Sequence, residues 1–100
     1  MKHYRNRKLL QAAKGEDCKH CGRRDGTIVA AHSNSRTHGK GLGLKSHDIF
    51  IADLCVVCHA NYDRKYTATL YGEDYLCNQE DFDRAMVKTI LNRLQRGILS

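Results

Sequence analysis

The spacing of apolar and polar positions divides the chain into short elements separated by glycine and polar turns. Residues 5–14, Arg5 to Lys14, are rich in good helix formers and end at Gly15, which predicts a short basic helix with glycine just past its end. The β-branched start of the segment Thr27-Ile28-Val29-Ala30-Ala31-His32 predicts a strand, and Asp48 to Leu54 predicts a second. Apolar side chains on both faces of that second strand imply burial on both sides. From His59 to Tyr66 no breaker interrupts the chain, and a helix is expected there. The last element is the longest: Asn78 is a natural cap and Asp81 follows in the first turn. Phe82, Met86, Ile90, Leu94 and Ile98 then recur every four residues, with Gly97 at the end of the element, and that stripe is expected to be core. Arg84, Lys88 and Arg96 are placed on its outer face.

Between the two strands lies Ser33 to His47, where glycines alternate at 39, 41 and 43 among Arg36, Lys40 and Lys45. A loop of this length without structure of its own is uncommon unless it binds something. Its amides and basic side chains suit phosphate, so Arg36, Lys40 and Lys45 are the candidate nucleic-acid contacts. Charge supports this reading. The formal net charge is +6, and residues 1–65 hold thirteen Lys and Arg against six acids. The basic two-thirds is therefore the face expected to meet a polyanion.

The most informative chemistry is in the cysteines. Cys18-Lys19-His20-Cys21 and Cys55-Val56-Val57-Cys58 are two C-x-x-C pairs. A two-residue spacing lets one tight turn aim both sulfurs at one ion, and two such turns supply the four ligands of a closed tetrahedral Zn²⁺ site. With 100 residues and no proline, repeat or linker, the chain reads as one domain whose modest core gains from a metal staple. No apolar run approaches a membrane span, and no secretory signal is evident, so a cytoplasmic location is expected, where paired thiols favour metal over disulfide. Cys77 is expected to be a half-buried free thiol. His3, His20, His38 and His47 read as solvated residues rather than ligands. In a helix starting near Cys58, His59 and Asp63 share a face, and such an N/O pair suits a divalent ion distinct from the sulfur site.

The order C-x-x-C, strand ending Ala31-His32, glycine-rich basic loop with Lys45 and Asp48, then Leu54-Cys55-x-x-Cys58-His59-x-x-x-Asp63 resembles the HNH nucleases of the ββα-metal superfamily. It is most similar to the short phage-derived YbcO-like nucleases. The resemblance spans nearly the whole chain and implies an α+β fold, a small zinc-stapled ββα-metal domain with a basic N-terminal helix and an amphipathic C-terminal helix, filling residues 1–100. It implies a phage or prophage endonuclease that hydrolyses DNA phosphodiesters. His32 matches the general base of such enzymes, a role suited to histidine because its unperturbed titration near pH 6.5 leaves a proton-accepting form at pH 7. His59 and Asp63 match residues that hold a catalytic divalent ion such as Mg²⁺, Mn²⁺ or Ni²⁺. Asp48 matches an acidic position that orients His32 or the metal, Lys45 a phosphate contact, and Cys18, Cys21, Cys55 and Cys58 the structural zinc knuckles. Two positions depart from the pattern. Ala31 stands where relatives place an Asp, Glu or His ligand, and Phe50 or Ala52 where the HNH asparagine is expected. A non-catalytic zinc-stapled DNA-binding module is the alternative, needing the cysteines and basic loop but neither His32 nor Asp63. A redox or zinc-storage role lacks a surrounding βαβ pattern.

Overall fold

A computed structural model describes residues 3–63 and 77–99. Among the described residues it is a small α+β structure in which a two-stranded antiparallel sheet is packed by three helices. Helix α1 spans Arg7–Gln11, and strand β1 spans Val29–His32. Strand β2 spans Ile51–Leu54, helix α2 Val56–Tyr62 and helix α3 Gln79–Gln95. None of the described helices is long and apolar enough to cross a membrane.

Helix α1 is shorter than the helix expected over 5–14. Asn6 takes the cap position, its side chain accepting from the Leu9 amide at 3.2 Å, so Arg5 stays outside and is released for other work. Beyond Ala12 the chain continues as turns to Gly15 at φ +83°. The strands are also trimmed relative to 27–32 and 48–54, and they pair from Val29 opposite Leu54 to His32 opposite Ile51. All four residues of β2 are buried, as its apolar pattern implied. Helix α2 begins earlier than expected, inside the second C-x-x-C, because Cys55 caps it by accepting from the Cys58 amide. The rest of the helix expected up to Tyr66 lies outside the described residues.

Helix α3 carries the capping box formed by Asn78 and Asp81. Its buried face, however, is Phe82, Ala85, Thr89 and Arg93, and not the stripe Phe82, Met86, Ile90, Leu94 and Ile98. At about 100° per residue, a strict four-residue repeat drifts, so Phe82 and Leu94 stand about 120° apart around the helix while Phe82 and Arg93 stand about 20° apart. Leu94 is accordingly exposed, as are Arg84, Lys88 and Arg96. The centre of the α3–β2 contact is polar. Arg93, fully buried, grips both carboxylate oxygens of fully buried Asp53 at 2.6 and 2.9 Å and donates through Nε to the Leu9 carbonyl at 3.1 Å. Thr89 Oγ1 accepts from the Asp53 amide at 3.0 Å. One guanidinium thus joins α1, β2 and α3, with its donors and partner lone pairs satisfied as burial of charge requires.

The glycine-rich segment is not bare loop. It contains a 3₁₀ turn, Arg36–His38, and a tight Gly41–Leu44 bridge. His3, His38 and His47, expected to be solvated, instead bind the segment down. His3 stacks on His47 with ring centroids 4.6 Å apart, and His38 stacks on Phe50 at 4.4 Å. Nε2 of His3 donates to the Gly39 carbonyl at 2.8 Å, and the Tyr4 amide donates to His47 Nδ1 at 2.9 Å. Gly39 is required twice over, by its φ of +95° and because a Cβ there would lie 2.6 Å from the His47 ring.

Candidate active site and metal centre

The first knuckle turns back on itself through the Cys18 amide, which donates to the Arg23 carbonyl at 2.8 Å, and the Gly22 amide, which donates to the Cys18 carbonyl at 2.9 Å. The Cys21 amide points at Cys18 Sγ and the Cys58 amide at Cys55 Sγ, both at 3.5 Å, so the two turns present their sulfurs in the same way. The ligand atoms of Cys18, Cys21, Cys55 and Cys58 all lie within 4.8 Å of one another, close enough to bind one metal ion. Cys21 Sγ and Cys55 Sγ are 3.7 Å apart. The sulfur–sulfur edge of a tetrahedral site with Zn–S bonds of about 2.3 Å is about 3.8 Å, so the quartet fits zinc in size as well as in donor chemistry.

The thiols are electrostatically interdependent. A hydrogen bond from Cys58 is the largest influence on Cys18 and helps pull it down to about 4. Giving that bond pushes Cys58 far up, and burial pushes Cys21 up to about 11. A buried group of four sulfurs cannot all ionise without a cation at its centre. Three of the four belong to the hydrophobic core beside Phe82, Leu54 and Tyr62, a position that suits a structural ion. Cys77 packs in the same core rather than half-exposed; burial pushes its thiol up to about 12.

A second constellation is separate from the sulfurs. His32 from β1, Asn34 just after it, Lys40 and Lys45 from the glycine-rich segment, His59 from α2 and Asp63 at the C-terminal cap of α2 line one cleft of about 370 Å³. His32 Nε2 meets Asp48 Oδ1 at 2.7 Å. With the proton on Nε2 donated to that carboxylate, Nδ1 is left as the basic nitrogen. Asp48 is buried and also accepts from Arg5 Nη1 at 3.1 Å and from the Asn6 amide at 2.7 Å. Burial pushes its carboxyl up, but the bonds from His32 and Asn6 and the charge of Arg5 outweigh it and hold the group below its ordinary value. Asp48 thus orients His32 and does not reach the cleft.

His59 Nε2 and Asp63 Oδ2 lie 3.1 Å apart, one helical turn from each other, with side chains about a third and a quarter exposed. Two ligand atoms bound at right angles with bonds of about 2.1 Å would be about 3.0 Å apart, so the pair can share one divalent ion. Among the described residues the cysteine quartet is the one group in which three or more His, Cys, Asp or Glu ligand atoms gather, so no third such described residue joins His59 and Asp63. Ala31, 1% exposed, contributes a methyl at the cleft's inner wall. Phe50 is used to stack on His38, and Ala52 is fully buried in the core.

Lys40 and Lys45 face the cleft, whereas Arg36 is exposed on the 3₁₀ turn and is not part of the lining. Arg5, which fixes both Asp48 and the segment before it by donating to the Lys45 carbonyl at 2.9 Å, was hidden inside the expected helix. Asn34 was also missed. Its Nδ2 donates to Asp63 Oδ1 at 3.0 Å and its amide to the Tyr62 hydroxyl at 2.7 Å, so it positions the carboxylate. Its place two residues past His32 was the only signal. Comparison of the chain with protein-family models, with curated proteins and with solved structures finds no match.

Proposed function

We propose that this chain is a small zinc-stapled endonuclease of the HNH, ββα-metal type that hydrolyses DNA phosphodiesters with the help of a second divalent ion. The observation that carries the reading is the meeting of a carboxylate-oriented histidine, an N/O ligand pair and two lysines in one cleft, set apart from the sulfur centre. Cys18, Cys21, Cys55 and Cys58 would hold Zn²⁺ and fix the start of α2 against the core. His59 and Asp63 would hold the catalytic ion, which when bound neutralises charge developing on the phosphate and leaving oxygen. Lys40 and Lys45 would seat the phosphate backbone. His32, with Nε2 tied to Asp48, would take a proton at Nδ1 from a water whose oxygen attacks phosphorus as the P–O bond to the sugar breaks.

Ala31 in the place of a further ligand favours a second reading, a zinc-stapled DNA-binding module without catalysis. A supercoiled-plasmid nicking assay with Mg²⁺, Mn²⁺ and Ni²⁺, and with EDTA, separates the two. The nuclease reading expects ion-dependent nicking abolished by EDTA. Binding to DNA without nicking under any of the three ions would favour the module.

A further inference from the structure

The catalytic cleft does not end at β1. Val29 and Ala30 are shared with an open groove of about 610 Å³ that runs on toward α1, lined also by Leu10, Gln11, Lys14 and Ile28. Val29 is 46% exposed there. The register also matters. Because the Ser33 amide donates to the Phe50 carbonyl, residues 33, 31 and 29 are the hydrogen-bonded partners of β2, and the N–H and C=O of Ala30 face the outer, unpaired edge of β1. Together the two adjoining linings have an apolar wall, a free backbone donor and acceptor, Lys14 in the groove, and Lys40 and Lys45 in the cleft. Asp63 is the one carboxylate in either lining.

We infer that this groove seats an unpaired stretch of the DNA strand leading into the cleft, so that the substrate class is single-stranded or locally opened DNA; this rests on the nuclease reading above. Duplex DNA shows a protein mainly phosphates and sugars, against which Leu10 and Val29 gain little. The faces of unpaired bases are the apolar surface such a wall can bury, and their edges can meet the Ala30 backbone. The lysines give the charge complement that an extended polypeptide would not need.

The test is fluorescence anisotropy with a labelled oligo-thymidylate of about twelve nucleotides, and with a blunt duplex, without added Mg²⁺, Mn²⁺ or Ni²⁺. Val29→Glu should weaken single-strand binding by about tenfold, as loss of one base contact would, and duplex binding much less. Lys8→Glu, a larger charge change on an exposed residue outside the groove lining, should weaken single-strand binding less than Val29→Glu does. Both variants should keep the zinc and the circular dichroism of the intact chain. Equal losses on the two DNAs, or single-strand affinity unchanged in Val29→Glu, would overturn the inference and leave the strand edge to an extended peptide. Because binding is read without the second ion, an intact protein that never nicks plasmid contradicts the nuclease reading only. Nicking that persists while Val29→Glu has no effect on binding contradicts the groove only.

Discussion

The sulfur centre and the cleft lie on the two ends of one short helix and are built to opposite specifications. Cys55 and Cys58 open α2, where four sulfurs of one kind close around a point mostly within the core. His59 and Asp63 follow at its far end, where an imidazole and a carboxylate stand partly exposed beside a cleft. A closed set of soft ligands leaves no position for substrate, while an incomplete set of nitrogen and oxygen leaves several. The difference teaches that a buried cysteine cluster can serve as the frame from which an open histidine–carboxylate pair is aimed.

Removal of zinc should have the largest effect, since metal binding in such sites is folding free energy, about 10–16 kcal/mol in zinc-finger peptides. Cys58→Ser, or a chelator that verifiably strips the metal, should abolish the folded circular dichroism spectrum, while Cys77→Ser should keep one zinc per chain. Retention of structure by the stripped protein would remove the sulfur centre from the frame.

Arg93→Leu should come next. It leaves the buried Asp53 carboxylate without its guanidinium and should cost about 3–5 kcal/mol in urea denaturation. The zinc content should not change, so this loss sharpens the contrast between frame and cleft.

On the cleft side, Asn34→Ala should leave stability nearly untouched yet raise the divalent-ion concentration needed for nicking by about tenfold, the usual scale for a group that orients a ligand. Asp63→Ala should raise it further. If both variants nick at the same ion concentration as the intact chain, α2 does not hold the second ion.

The smallest effect concerns pH. Asp48 sits below its ordinary pKa in the folded state, so its contribution to stability is present above the unfolded value and is lost as pH falls through the folded one. Asp48→Asn should therefore be less stable than the intact chain at neutral pH, and the gap should close below about pH 4. Urea midpoints at matched zinc excess would show it.

The cysteine quartet was legible because a two-residue spacing nearly dictates the turn that presents its sulfurs. His59 and Asp63 were legible for a similar reason, four residues being one helical turn. What local spacing could not reveal were contacts between distant parts of the chain. The buried face of α3 is decided by Asp53, forty positions before Arg93, which turned a polar residue inward and left Leu94 outside. Likewise, His47 looked like a surface residue because its partners, His3 and Tyr4, stand about forty positions before it. Asn34 is informative only once α2 is placed beside β1.

The most direct measurement is plasmid nicking by His32→Ala set beside its zinc content, circular dichroism and DNA affinity. The division between frame and cleft predicts that the last three match the intact protein while the nicking rate falls by about 10² to 10⁴, the share of a lost general base. Nicking by His32→Ala at the rate of the intact chain, with its zinc and fold in place, would contradict it.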